Sequence, residues 1–207
     1  MGELSLTTSQ AAALDHIRQY ADTRRAVANS SIAHMLKMSN LGQDVFESAV
    51  SKMKSHARVA LHFHPDRLDF KLHSVAEDLL ASGIYKSQFE TKLSNGSVSA
   101  HPGGERDLWE QKIFGGHYTF EKASVAERPK YGALDLLRHP DGPAPRFGPC
   151  YLLLKPEVSR RCTFAYLDSH YDPQEKGTLD ALEDIISALF SEVLIMVRCD
   201  FCLVGIR

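Results

Sequence analysis

The chain has few of the features that would settle its class at once, and each shortage excludes something. It has only four cysteines in 207 residues. Cys150, Cys162, Cys199 and Cys202 are too few and too unevenly spaced for a disulfide framework. A reducing compartment is the default, so the expectation is a cytoplasmic protein or a secreted effector of similar composition. No run of about 18 apolar residues occurs, and the N-terminus lacks the basic-then-apolar pattern of a signal peptide. Neither sign of charge dominates. With a formal net charge of −2, bulk electrostatics points to neither nucleic acid nor an anionic membrane. Repeats and low-complexity tracts are missing. The glycines match neither the spaced-glycine dinucleotide fingerprint nor a P-loop.

What is present is the balance of a globular protein of one ordinary domain, 43% hydrophobic and 24% charged. Residues 1–58 are helical in pattern. Thr7 or Thr8 can cap a helix whose stripe is Ala12, Ala13, Leu14, Ile17, Tyr20 and Ala21. A second helix from Asn40 carries Val45, Phe46, Ala49, Val50 and Met53 on one face. Both fit a helical cap packed on a main domain of residues 59–192. Val59 to Phe63 reads as a strand, and Val75 to Ser82 as a short helix stopped by Gly83. A dense polar stretch, Tyr85 to Gly96, ends in an Asn-Gly turn signal. Glu105 to Phe114 is helical in spacing, and strands are expected at Tyr131–Leu137, Cys150–Leu154 and Thr163–Tyr166. The continuous apolar run of Cys150–Leu154 predicts a buried strand. A last helix spans Leu179 to Glu192, ahead of an atypical tail, 193–207. Helices followed by glycine-punctuated strands predict an α+β fold.

The densest chemistry lies in His62-Phe63-His64-Pro65-Asp66-Arg67, where Pro65 ends the strand. Period-two alternation places His62 and His64 on one face. Three readings fit. The histidines can hydrogen-bond locally at a strand edge. His62, His64 and Asp66 offer the two nitrogens and one oxygen of a zinc- or manganese-dependent hydrolase. The His-Pro-Asp of J-domain co-chaperones sits between two helices, and a preceding strand fits it poorly. Glycines at 103, 104, 115, 116 and 132 permit close backbone approach by a ligand such as a dinucleotide pyrophosphate, or simply make turns.

A longer series of motifs narrows this. After His62–Arg67 come Ser87-Gln88-Phe89-Glu90-Thr91, Ser94-Asn95-Gly96, His101-Pro102-Gly103-Gly104 and Trp109-Glu110 through Phe114-Gly115-Gly116. Arg128-Pro129-Lys130-Tyr131-Gly132-Ala133-Leu134, Pro145-Arg146-Phe147-Gly148 and Asp168-Ser169 follow. From about Val59 to Leu189 the series resembles a bacterial and fungal family long filed as a domain of unknown function. Its best understood members resemble the CteC-type (CHARM) effectors, ADP-ribosyltransferases that modify ubiquitin on a threonine.

The resemblance implies a split, strand-rich core that binds NAD as substrate, and a partner that is ubiquitin or another acceptor protein. In such chemistry nicotinamide leaves, positive charge develops on the ribose, and an acceptor hydroxyl attacks C1. It implies an NAD anchor at His62, His64 or Arg67, with Arg67 the natural partner of the pyrophosphate. Ser94 and Asn95 correspond to the family's second-motif serine, so that His64, Ser94 and Asn95 are the expected catalytic group. Gln88 joins the cofactor contacts, Tyr131 is expected to stack on nicotinamide, and Arg146 to meet phosphate. No metal is implied.

The tail departs from the pattern. There the last helix is followed by a strand bearing a Glu-Ala-Gln-like element, whose Glu is the expected catalytic acid. Here Val193 to Arg207 has none. The expectation is a truncated chain with a substituted tail and little or no transferase activity, the tail pairing as a surrogate strand. Alternatives from other classes are the metal-dependent hydrolase and a non-catalytic module that binds a protein partner.

Overall fold

Thr7 opens the first helix with a reciprocal cap. Its hydroxyl accepts from the Gln10 N–H, and the Gln10 side chain accepts from the Thr7 N–H. The computed structural model describes residues 5–93, 100–168 and 172–193, and the backbone of 201–205. Helix α1 (Thr8–Met38) has 31 residues, roughly 46 Å at 1.5 Å per residue. Its buried stripe begins at Ala13, Leu14, Ile17 and Ala21 and continues through Ala28, Ile32, Met35 and Leu36. Ala12 and Tyr20 only flank it, half-buried. Helix α2 (Gln43–His56) buries no residue fully. Phe46, Val50 and Met53 lean on the core, while Val45 is exposed.

Strand β1 (Arg58–Phe63) follows at once. Helix α3 (Val75–Ser82) is capped by Ser74 and Glu77 and closed by Gly83 in the left-handed region. The polar stretch after it holds one turn of helix, α4 (Gln88–Thr91), set by a second Ser–Glu capping box, Ser87 and Glu90. Next come α5 (Glu105–Ile113), β2 (Lys130–Asp135), β3 (Cys150–Leu153), β4 (Cys162–Tyr166), β5 (Lys176–Thr178), α6 (Glu183–Val193) and β6 (Phe201–Gly205). The protein is a mixed α+β fold, and every named strand pairing is antiparallel.

The sheet order is β3-β1-β2-β6-β4-β5. One expectation changes here, that of a buried β3, while the tail pairs in the sheet as expected. Strand β3 lies at an edge, and Leu152 is 38% exposed; an apolar run states that a strand can be covered, not that it has two neighbours. The tail strand β6 lies inside the sheet, between β2 and β4. Two apolar clusters hold the elements together. The larger joins the C-terminal half of α1 to β1, β4 and α6. The smaller joins Ala13 and Ile17 of α1 to Ile113, Phe114, Tyr118 and Ala123. Helix α1 therefore contributes to both clusters.

One irregularity in the sheet positions the site. Pairing between β1 and β2 runs Arg58↔Asp135, Val59↔Leu134 and Ala60↔Ala133, then stops. Beyond that point β1 pairs only with β3, through residues 61–63, and β2 only with β6, through residues 130–132. The sheet parts where both strands still run on. Gly132 sits at the fork, where a Cβ would lie 2.7 Å from the Ala60 carbonyl oxygen.

Candidate functional site

The parting opens into a cavity of about 530 Å³, within the range of small-molecule sites. Its floor comes from both sides of the fork: His62 and Phe63 of β1, and Lys130, Tyr131 and Gly132 of β2. Its walls come from the loop after β1, from α3 and α4, from Arg106 and Trp109 of α5, and from the 144–147 turn. His62, His64, Arg67, Gln88, Tyr131 and Arg146 all line it. Residues far apart in the chain thus meet at one place. Ser94 and Asn95, with the turn at Asn95-Gly96, lie outside the described residues.

His62 is committed to the fold. Its Nδ1 donates to the Gly148 carbonyl at 2.9 Å, and its Nε2 accepts the Ala144 N–H at 3.2 Å. That pattern assigns a neutral ring with its proton on Nδ1. The ring also packs against Tyr151, centroids 5.1 Å apart. Neither nitrogen is left for a metal or a phosphate, so the expected ligand role of His62 is corrected: it pins the 139–149 loop to β1. His64 falls one residue beyond the end of the strand, and both histidines line the cavity. Asp66 is exposed. The cluster at metal-ligand spacing among the described residues is a different one, Asp69, His73 and Asp78. Lys86 Nζ already sits 2.6 Å from Asp78, and Asp69 Oδ1 accepts from the Lys71 and His73 N–H groups.

The glycines do less than proposed for them. Gly115 approaches His16, Gly104 caps α5, and Gly103 and Gly116 are left-handed turn residues in open space. Of the five, only Gly132 lines the cavity.

Charge in the walls favours an anion. Arg67, Lys86, Arg106, Lys130 and Arg146 face Asp69, Asp78 and Asp168. Several of these are paired: Arg146 with Asp168 at 3.0 Å, Lys86 with Asp78, and Lys130 with Glu90 at 3.6 Å. Tyr85 donates to the His62 carbonyl, and burial pushes its phenol up to about 12, so it is a neutral donor.

Behind the cavity lies a buried polar network that sequence reasoning passed over. Arg128 is fully buried, its guanidinium 4.4 Å from the ring centroids of both Phe89 and Phe120. Its Nη1 donates to Glu110 Oε2 at 2.9 Å and its Nη2 to Asp107 Oδ1 at 2.8 Å. Glu110 Oε1 accepts from the Tyr131 hydroxyl at 2.9 Å. Burial pushes the Glu110 carboxyl up to about 7, against the pull of Arg128 and of the Tyr131 hydroxyl. Burial also raises the Tyr131 phenol, with the Glu110 charge adding to it. Arg106 lies over the other side of Tyr131, its Cζ 4.7 Å from that ring and 5.6 Å from Trp109. Glu110, Arg128 and Tyr131 stand in the quoted motifs and Asp107 does not; the i, i+3 spacing of Asp107 and Glu110 on a helix was the available signal.

Fold and cavity define a mixed α+β protein with a polar site where an antiparallel sheet parts. A family model described as "Protein of unknown function (DUF3626)" matches residues 58–200. The chain belongs to that family. The matched segment starts at the first residue of β1 and takes in every residue lining the cavity. No curated protein matches the chain.

Proposed function

We propose that this cavity binds NAD and that the chain is an ADP-ribosyltransferase-like protein, the related activity being transfer to a hydroxyl of an acceptor protein such as ubiquitin. The carrying observation is that His62, His64, Arg67, Gln88, Tyr131 and Arg146, named from motif order alone, line one cavity. A dinucleotide needs cations for its pyrophosphate and aromatic faces for its rings. The same walls offer Arg67, Arg106 and Arg146 beside Tyr131, Trp109 and Phe147. In this reading Arg67 meets the pyrophosphate and Tyr131, braced by Glu110, presents its ring to nicotinamide. Binding and turnover separate here. Strand β6, Phe201–Gly205, contains no aspartate or glutamate, so binding is expected to be retained and transfer to be weak. Asp168, in the cavity wall, and Glu90, beside Lys130, are the first carboxylates to test as a substitute acid.

The test is calorimetry with NAD on the full chain, beside Arg67→Ala. Saturable binding that weakens roughly 10- to 100-fold in the variant is expected, the range for losing one charge-assisted contact. Unchanged affinity removes Arg67 from the site, and no binding to the wild type overturns the NAD reading. Incubation with labelled NAD and ubiquitin then measures transfer. Labelling that disappears in Asp168→Asn would identify the acid; labelling that survives in both Asp168→Asn and Glu90→Gln would exclude these two.

A further inference from the structure

The cavity is lined by a buried cation, Arg106, with an unmet hydrogen-bond donor. Arg106 is 7% exposed. Among the described residues no carboxylate lies within ion-pair distance of it; Asp107 and Glu110, on the same helix, both pair with Arg128. Tyr131 and Trp109 lie against its guanidinium, which also hydrogen-bonds to the Tyr131 side chain. Its Nε is buried and has no hydrogen-bond partner. Even with the Tyr131 hydroxyl and the Glu110 charge nearby, a buried, stacked guanidinium whose Nε lacks an acceptor is costly in an empty site. It is also a prearranged receptor for a planar or tetrahedral oxyanion, because the cost of desolvating and orienting it has already been met.

A second orphan atom lies in the same cavity. Gln88 Oε1, on α4, is buried without a donor. Among the described residues these are the two cavity-lining residues with such an atom, one a donor and the other an acceptor. Buried polar groups are rarely left unpaired, and a ligand is one of the ordinary explanations.

We infer that Arg106 is an anion-binding residue of this cavity, taking a phosphate of a nucleotide-like ligand through Nε, while Gln88 accepts a hydroxyl or amide hydrogen from the same molecule. This deepens the NAD reading, on which it rests for the choice of cavity, and adds a phosphate contact on α5 to that of Arg67. Arg146 keeps Asp168 as its partner. The ligand class is an organic phosphate that also carries a donor, such as a ribose hydroxyl; inorganic pyrophosphate satisfies only the first requirement.

Titration of the full chain with NAD, ADP, adenosine and inorganic pyrophosphate tests this, with thermal unfolding recorded beside it. Wild-type protein is expected to bind ADP and pyrophosphate, and adenosine much less. Arg106→Met should weaken ADP roughly 10- to 100-fold. The same variant should leave the unliganded Tm unchanged or higher, because a residue held for a ligand rather than for the fold is a cost in the empty protein. Gln88→Leu should weaken ADP and leave pyrophosphate unaffected. If ADP binds through Arg106 and NAD does not bind, the inference stands and the NAD reading falls. If NAD binds equally to wild type and Arg106→Met, the inference falls and the NAD reading stands. Failure of ADP and pyrophosphate to bind the wild type overturns the inference. Should Arg106→Met not fold, Arg106→Lys, which keeps charge and stem but loses Nε and the planar stack, decides it: about tenfold weaker ADP binding supports the assignment, and unchanged binding overturns it.

Discussion

At the scale of single residues, the pivotal sequence motif divides its labour. His62 closes a structural latch, while Arg67, five residues on, lines the cavity. His62→Ala removes two hydrogen bonds and a ring packed on Tyr151, so a loss of about 2–4 kcal/mol is expected by urea denaturation. A loss below about 0.5 kcal/mol would show that the latch is dispensable. Gly148 is its other half. Its φ of 141° lies in the region that favours glycine, and a Cβ there would sit 2.1 Å from the Phe63 carbonyl oxygen. Gly148→Ala should therefore destabilise the protein and displace the 145–147 turn that carries Arg146. Proteolytic cleavage within 139–149 that is faster in the variant than in the wild type would register it; equal rates would argue against the latch.

At the scale of elements, α5 is the strut behind the site. Through Asp107 and Glu110 it grips Arg128, and through Glu110 it holds Tyr131. Arg128→Met leaves two buried carboxylates without their cation, a change expected to cost about 3–5 kcal/mol. The pH dependence has a definite sign. Below about pH 4.5 the Glu110 carboxyl is protonated whether folded or not. From there to about 7 the folded state keeps a proton that the unfolded chain has released, so raising pH through that window lowers stability. Relative to Glu110→Gln, wild-type protein should lose a few kcal/mol between pH 5 and pH 7.5. If it gains stability instead, Arg128 outweighs burial and the carboxyl is ionised throughout.

At the scale of the whole molecule, the sheet depends on its last strand. Strand β6 joins β2 to β4, so without it the sheet would fall into two parts with two raw edges. Leu203 pairs with Gly132 on one side and Phe164 on the other. Leu203→Pro removes a backbone donor from an interior strand, and about 3 kcal/mol or more should be lost, with aggregation as the visible symptom. A soluble variant with an unchanged Tm would mean that β6 contributes little to the sheet. Among the described residues no helix is long and apolar enough to cross a membrane.

The local elements were legible in the sequence because their causes are local. The Thr7 cap, the Gly83 stop, the strand before Pro65 and the helical spacing after Glu105 each depend on a few adjacent residues. The α+β class followed from their order. Motif order named six residues that the fold brings to one cavity. Their roles were not legible. That His62 spends both nitrogens on the 144–148 loop depends on a partner 86 positions away. That Asp107 and Glu110 pair with Arg128, well along the chain, and not with Arg106 on their own helix depends on where the fold puts Arg128. That β3 is an edge and β6 an interior strand is decided by which neighbours each finds. Hydrogen bonds, ion pairs and strand neighbours are claims on partners brought together by folding, and composition and spacing name the claimants without naming the match.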